Sequence, residues 1–421
     1  MIRLITPEQW TRVPVTLDAK LEQSVAQMLN RVATQGDGAL RDYTLTFDSV
    51  DLASIAVPVS ALESAWNHAS SAWKQAFRNA ADNIRRFHQK QCRQSWYVDD
   101  GDGVRLGQRI LPVDSAGLYI PGGTAAYPSS VLMTAIPAQV AGVSNIYITS
   151  PPDPSTGLPR REVLATAHML KVHDVFSVGG AQAIAAFAYG TQSMPKVDKI
   201  VGPGSTYVTM AKKLVYGHVD IDSLAGPSEL VVLADSTSNP VWIAHDLIAQ
   251  AEHDPLASAM LVTHEDSVAQ AVCKALEDLV PQTDRKETVV KALTTQGAAI
   301  TTASRKDAVE MVNTIAPEHL ELMVQDPWEV LEDIRHAGAV FMGPWSPEPV
   351  GDYYAGPNHV LPTGGAARFS SALGVEDFQR SQSVIGYSQR RLSLVANDIA
   401  LMAQSEGLDG HARSVQIRNS N

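Results

Sequence analysis

The chain has only two cysteines in 421 residues, Cys92 and Cys273. Two thiols build neither a disulfide framework nor a thiolate metal site, and such scarcity suits a reducing cytoplasm. Positive charge is also short: 33 Lys and Arg face 45 Asp and Glu, a formal net charge of −12 with no local basic cluster. That balance argues against nucleic acid as a principal partner, while backbone amides and helix N-termini can still hold an anionic cofactor. No stretch approaches the roughly 20 uninterrupted apolar residues of a membrane span. Met1-Ile-Arg-Leu-Ile-Thr-Pro7 is too short and too soon broken for a signal peptide. A soluble cytoplasmic protein is expected, with no membrane partner.

What is present has the grain of a large α/β protein. Single cores stop growing at roughly 250–300 residues, so more than one domain is expected. The first hundred residues read as helical. Leu17 to Val32 and Ser60 to Gln89 carry apolar side chains at three- and four-residue spacing, the second with Trp66, Trp73, Phe77, Ile84 and Phe87 as a packing face. Tyr97 to Val104 reads as a hairpin turn. From Gly117, β-rich runs alternate with amphipathic segments: Gly117–Pro121 before Ser129–Val143, Asn145–Thr149 before Arg161–Val172, and so on to Val340–Met342. Alternation sustained this long predicts parallel sheets covered by helices, with too many strands for one sheet.

The expected fold is therefore α/β: two doubly wound, incomplete Rossmann-like domains with helical N- and C-terminal extensions. Crossings are placed near Gly123 and Ala225. This gives an extension over 1–16, a discontinuous first domain over 17–118 plus 228–372, a second over 119–227, and a tail over 373–421. From Gln379 the tail reads as helical and polar-faced, without strand alternation.

Oxygen and nitrogen ligands stand out against the missing thiols. Gln250 and His253 are three apart at the end of an apolar-periodic segment closed by Asp254-Pro255, so a helix puts both on one face of its last turn. Such a pair on a rigid scaffold can hold a metal; a helix-terminal His can equally bond the last carbonyls. Ala316-Pro-Glu-His-Leu320 sets Glu318 beside His319, an acid and an imidazole that project differently because sequence neighbours do not face one another. Asp352 and His359 lie in the turn-rich run Gly351 to His359, where Asp352 is either a ligand or a turn cap. Glu406 and His411 occupy a glycine-broken segment that reads on its own as a frayed terminus. Glycine turns at Pro121-Gly-Gly123, Gly179-Gly180 and Gly202-Pro-Gly204 sit where strands meet helices, a place for phosphate or simply tight turns. None completes G-x-G-x-x-G or a P-loop.

Together these segments resemble the histidinol dehydrogenase family over nearly the whole chain. The matching blocks run in order: Gly117-Leu-Tyr-Ile-Pro-Gly-Gly123 with Tyr127-Pro-Ser-Ser-Val-Leu-Met133, Val178-Gly-Gly-Ala-Gln182, Gly202-Pro-Gly204 with Ala211-Lys-Lys213, and Ala225-Gly-Pro-Ser-Glu229. Gln250-Ala-Glu-His-Asp-Pro255, Ala316-Pro-Glu-His-Leu-Glu321, Gly351-Asp352, Gly356-Pro-Asn-His-Val-Leu-Pro-Thr363 and Glu406 with His411 follow. The resemblance implies oxidation of L-histidinol through the aldehyde to L-histidine with two NAD, the last steps of histidine biosynthesis. It implies one zinc per subunit, held by Gln250, His253, Asp352 and His411, the last from the partner in a homodimer, which gives the C-terminal tail its purpose. Substrate contacts would be Ser228, Gln250, His253, His319, Asp352, His359, Glu406 and His411, with Ser129 a weaker candidate. Tyr119 and Gln182 match NAD-contacting positions, placing NAD on the 119–227 side and metal and catalytic residues in the first domain. The family commonly has Asn where this chain has Ser205, which is shorter and lacks the amide fork.

The implied chemistry needs no thiol. His319 takes a proton from the alcohol and then from the aldehyde hydrate, Glu318 activates the hydrating water, and a hydride leaves to NAD each time. The metal orients the substrate, and its ligands would also accept manganese or cobalt. Two other readings stay open: a paralogous metal-dependent dehydrogenase of another polar alcohol such as a sulfonated diol, which Glu318 and Glu406 would repel, and a non-catalytic metal- or nucleotide-binding protein.

Overall fold

A computed structural model describes residues 2–12, 19–122 and 126–419. The chain opens with a short strand, β1 (Arg3–Ile5), followed by helices α1 (Ala19–Gln35), α2 (Asp37–Asp48), α3 (Val59–His68) and α4 (Ser71–His88). The periodic run from Ser60 to Gln89 is thus two helices. They part at Ser70, whose hydroxyl accepts the Trp73 N–H and caps α4. A hairpin follows, β2 (Trp96–Asp99) and β3 (Arg105–Pro112), around the turn expected there.

Strands and helices then alternate: β4 (Ser115–Tyr119), α5 (Pro128–Ala141), β5 (Asn145–Thr149), α6 (Arg161–Met169), β6 (Val175–Phe176), α7 (Gly180–Tyr189), β7 (Lys199–Val201), α8 (Thr206–Val215) and β8 (Asp220–Ile221). A second series runs β9 (Glu229–Ala234), α9 (Pro240–Ala251), β10 (Ser258–Thr263), α10 (Asp266–Leu279), α11 (Lys286–Thr295), β11 (Ala298–Thr301), α12 (Arg305–Ile315), β12 (His319–Met323), α13 (Pro327–Leu331), β13 (Ala339–Met342) and α14 (Glu348–Tyr353). The chain ends with β14 (Gln379–Gly386), α15 (Gln389–Ser405) and α16 (Asp409–Asn419).

Two parallel sheets result, as the alternation predicts. One has five strands in the order β6-β5-β4-β7-β8, the other six in the order β1-β11-β10-β9-β12-β13. Each is doubly wound: the chain builds outward on one side, then returns to the centre and builds the other way. Strand order reverses between β4 and β7 in the first sheet and between β9 and β12 in the second. Buried apolar side chains cover both faces of both sheets.

Three features depart from expectation. The N-terminal extension supplies β1, which pairs in parallel with β11 through Arg3 and Ala298, so it is an edge strand of the larger sheet. Helices α1 to α4, grouped in sequence with the first domain, cover the smaller sheet: α1 and α2 pack with α7 and α8, α3 and α4 with α5 and α6. The tail is not wholly helical. Gln379–Gly386 is a strand antiparallel to β3 in a three-stranded sheet with β2. Neither of its faces is buried, so Gln379-Arg-Ser-Gln-Ser383 carries no alternating apolar signal. The proposed crossing at Gly123 lies outside the described residues.

Candidate active site

His319 is the first residue of β12, and the site forms at the edge where β9 and β12 begin. Helix α12 is stopped by Ala316 in the left-handed conformation (φ 48°), and Pro317 then enters the strand. Parallel pairing sets His319 against Leu230, one residue past Glu229 at the start of β9. The Glu229 backbone fixes both catalytic candidates. Its N–H donates to Glu318 Oε2 at 2.8 Å, and its carbonyl lies 3.1 Å from His319 Nδ1. A carbonyl only accepts, so Nδ1 carries the proton and Nε2 is the free atom. Nε2 is buried without a hydrogen-bond partner, 3.6 Å from Asp352 Oδ1. Glu318 and His319 do not diverge as strand neighbours should. Both turn to the same backbone, leaving Glu318 Oε2 3.6 Å from Nδ1.

Helices α9 and α14 return across the sheet and end near this edge. Asn239 caps α9 by accepting the Val241 N–H at 2.9 Å, and Pro240 begins it. The last turn carries Gln250, fully buried, and His253 follows, exposed at the rim. Asp352 lies in α14, not in the irregular loop its composition suggested. His359 is in the loop beyond; its Nδ1 donates to the Asp352 carbonyl at 3.0 Å, and its Nε2 faces Ser130 Oγ at 3.5 Å.

Negative charge is concentrated here. Burial pushes the Glu318 carboxyl up to about 8 and that of Glu348 up to about 7. Burial also opposes charge on His319, but the carboxylates of Glu318, Asp352 and Glu348 outweigh it and lift the imidazole to about 10. Burial raises Asp352 too, yet His319, His359 and His253 hold it below the ordinary carboxylate range.

The donor set fits a divalent ion. One end of the Gln250 carboxamide lies 3.0 and 3.2 Å from the two Glu348 oxygens, so the nitrogen must face them. The amide oxygen then lies on the side of His253 Nδ1, 3.4 Å away. An amide oxygen and an imidazole nitrogen side by side, with Asp352 close by, make an oxygen and nitrogen set acceptable to zinc. His319, Glu348 and Asp352 also place one ligand-type atom each within 4.8 Å of one another. Glu406 and His411 do not join this cluster within one chain. Both are exposed, Glu406 at the end of α15 and His411 in the first turn of α16, and no hydrogen bond or ion pair among the described residues ties them to it.

The cofactor candidates gather at the other sheet's reversal point, between β4 and β7, where open α/β sheets bind ligands. Gly202 (φ 119°) is forced: a Cβ there would fall 2.1 Å from the Tyr119 carbonyl oxygen. Tyr119 is buried, its hydroxyl pushed up to about 12 by burial, and it accepts the Gly180 N–H at 3.1 Å. Gln182 Oε1 is buried without a partner. Ser205 is the exposed N-cap of α8, with its hydroxyl making no capping bond. The turn is clamped by Lys212, from the Ala211-Lys-Lys213 block, and by Asp222, which no motif marked: Asp222 accepts the Gly202 N–H at 2.7 Å, Lys212 donates to the Gly202 carbonyl at 3.0 Å, and the two form a buried ion pair.

Of the remaining candidates, Ser228 is half-buried just before Glu229, and Ser129 is buried in the first turn of α5. Three site residues were missed. Glu348 precedes Asp352 by four residues, a helical spacing that was legible. Ser130 is visible only as the neighbour of Ser129, and Glu229 closes a motif in which only Ser228 was chosen.

The whole chain is similar to known proteins. A family model described as histidinol dehydrogenase matches residues 12–419. The histidinol dehydrogenase of Halalkalibacterium halodurans is 50% identical over 397 residues, 94% of this chain and 93% of that protein. That of Bacillus subtilis is 46% identical over 420 residues, 99% of this chain and 98% of the relative. The crystal structure of histidinol dehydrogenase from Elizabethkingia anophelis superposes with a TM-score of 0.94 at 34% identity, covering 99% of this chain and 98% of that one.

Proposed function

The chain belongs to the histidinol dehydrogenase family, and we propose that it oxidises L-histidinol through L-histidinaldehyde to L-histidine, reducing two NAD. The observation that carries this reading is the double grip of Glu229. Its N–H holds the Glu318 carboxylate and its carbonyl holds His319 Nδ1, leaving Nε2 turned into a buried pocket with no hydrogen-bond partner. His319 takes the hydroxyl proton as the carbinol hydride leaves. His319 passes that proton to solvent, Glu318 activates the water that hydrates the aldehyde, and the neutral His319 then takes a proton from the hydrate as the second hydride leaves.

Gln250, His253 and Asp352 would hold zinc, with the fourth ligand from the partner subunit's His411. Once bound there, zinc would supply a Lewis-acidic anchor for substrate nitrogen and would offset the negative charge that keeps His319 protonated. His359 is kept neutral by burial against the pull of Asp352, which suits it to accept a substrate hydrogen bond. The exposure of Glu406 and His411 beside exposed Leu401, Met402 and Leu408 supports a homodimer in which each tail completes the neighbour's site. Tyr119, Gln182 and Ser205 surround the turn proposed for NAD.

The residue inventory favours a thiol-free course. Cys92 is exposed, and Cys273 lies on α10 packed into the core under α9. A sulfonated substrate would meet Glu318, Glu348 and Asp352, so a cationic amino alcohol is favoured. The test is NADH formation on purified, zinc-loaded protein. Two NADH per L-histidinol and none from a sulfonated diol are expected; no NADH with histidinol would refute the proposal.

A further inference from the structure

Beneath the site lie two acids that the mechanism does not use. Glu321 is 1% exposed on β12, two residues after His319 and therefore on the same face of the strand. Asp246 is on α9, one turn before Gln250 and on the same helix face. Glu321 Oε2 and Asp246 Oδ2 are both buried with no hydrogen-bond donor in reach, and the two carboxyl groups are close neighbours. Neither is paired with a basic side chain among the described residues. Glu321 Oε1 accepts the Glu348 N–H at 2.8 Å, at the first residue of α14.

Two carboxyl groups in a buried contact cannot both be ionised, so one proton is held between them as a carboxyl–carboxylate hydrogen bond. Burial raises both acids, Asp246 to about 6 and Glu321 well above the ordinary range, the second helped by the charge of Asp246. This single joint touches three of the elements that carry the site. Its strand begins with His319, its helical partner leads to Gln250 and His253, and the accepted N–H belongs to the helix bearing Glu348 and Asp352.

We propose that Glu321 and Asp246 are positioning residues: a proton-sharing acid pair that locks β12, α9 and α14 together and so sets the spacing of Gln250, His253 and Asp352 around their metal. The pair touches neither substrate nor cofactor and acts through the elements it joins. Two acids are suited to this place because a protonated carboxyl donates to its partner while still accepting the helix N–H. An apolar residue would fill the volume but leave the Glu348 N–H and one acid oxygen unsatisfied.

The proposal rests on the metal assignment above, and its test separates the two. Zinc affinity is measured by chelator competition on folded, metal-free dimer, alongside the Tm of the metal-free protein. Glu321→Gln keeps one acceptor for the Glu348 N–H and one donor for Asp246, so zinc affinity is expected within about threefold of the parent. Glu321→Leu and Asp246→Leu break the joint and are expected to weaken zinc by ~10–100-fold, as loss of groups that orient metal ligands does. Asp246 is half-buried, so its variant keeps the test open where Glu321→Leu does not fold. Unchanged zinc affinity in a folded Leu variant, or an equal loss in Glu321→Gln, overturns the proposal. Failure of the parent protein to bind zinc overturns the metal assignment instead.

Discussion

Replacing Glu318 by Gln separates the two roles assigned to that carboxylate. Gln keeps an oxygen to accept the Glu229 N–H, so the strand edge should hold its geometry. What is lost is a negative charge 3.6 Å from His319 Nδ1. At an effective dielectric of about 20, that charge is worth roughly 4–5 kcal/mol, or about 3 pKa units. In metal-free wild type, His319 should titrate near about 10; in Glu318→Gln it should titrate about 3 units lower. Nitrogen-15 NMR of histidine-labelled, metal-free protein reads this directly, with His319→Asn identifying the resonance.

The sign carries over to stability. The folded value lies above the ordinary 6.5, so His319 stabilises metal-free protein fully below pH 6.5 and the contribution fades as pH climbs through about 10. In Glu318→Gln that fading should finish about 3 pH units earlier. In zinc-loaded enzyme the variant should slow aldehyde oxidation more than alcohol oxidation, because only the second step consumes an activated water. An unchanged His319 titration, or equal slowing of both steps, would refute the reasoning.

Ser205→Asn should lower the KM for NAD, since the amide adds a donor and acceptor fork where an exposed hydroxyl makes no capping bond; an unchanged or higher KM removes Ser205 from the cofactor site. The double variant Cys92→Ser/Cys273→Ser should still form L-histidine, whereas His319→Asn should lose most turnover with zinc still bound; loss of acid formation in a folded double Cys variant contradicts the thiol-free course. Gly202→Ala should destabilise the protein by about 1–3 kcal/mol and raise the KM for NAD, because φ of 119° and a 2.1 Å approach to the Tyr119 oxygen leave no room for a Cβ; wild-type denaturant midpoint and KM would contradict it.

Periodicity made most of the framework legible. Asn145–Thr149 is read from sequence with the bounds it has in the structure. Elements without a buried face escaped, because the apolar pattern is the signal: β14 is solvent-exposed on both sides. Edge strands β1 and β8 were missed for the same reason, since neither contains a buried residue. The breaks at Gly36 and Ser70 divide the N-terminal helices by backbone conformation and capping, which apolar spacing does not report.

Gln250, His253, Glu318, His319, Asp352 and His359 do converge, although motif resemblance and not spacing nominated them as a set. What sequence left out are groups whose role comes from tertiary contact alone. The Glu229 backbone grips two side chains from another strand. The Lys212–Asp222 clamp joins the end of α8 to the residue after β8, and the Asp246–Glu321 pair joins residues remote in the chain.

The central claim, that each site is finished by the neighbouring copy, is tested most directly by mixing two defective proteins. His319→Asn and His411→Asn homodimers are each expected to be inactive. After unfolding and co-refolding in equal amounts, half of the dimers are mixed, and in each of those one site carries both substitutions while the other is intact. Activity should therefore return to about a quarter of wild type. A mixture as inactive as its parents would mean that His319 and His411 of one chain serve the same site, contradicting the account.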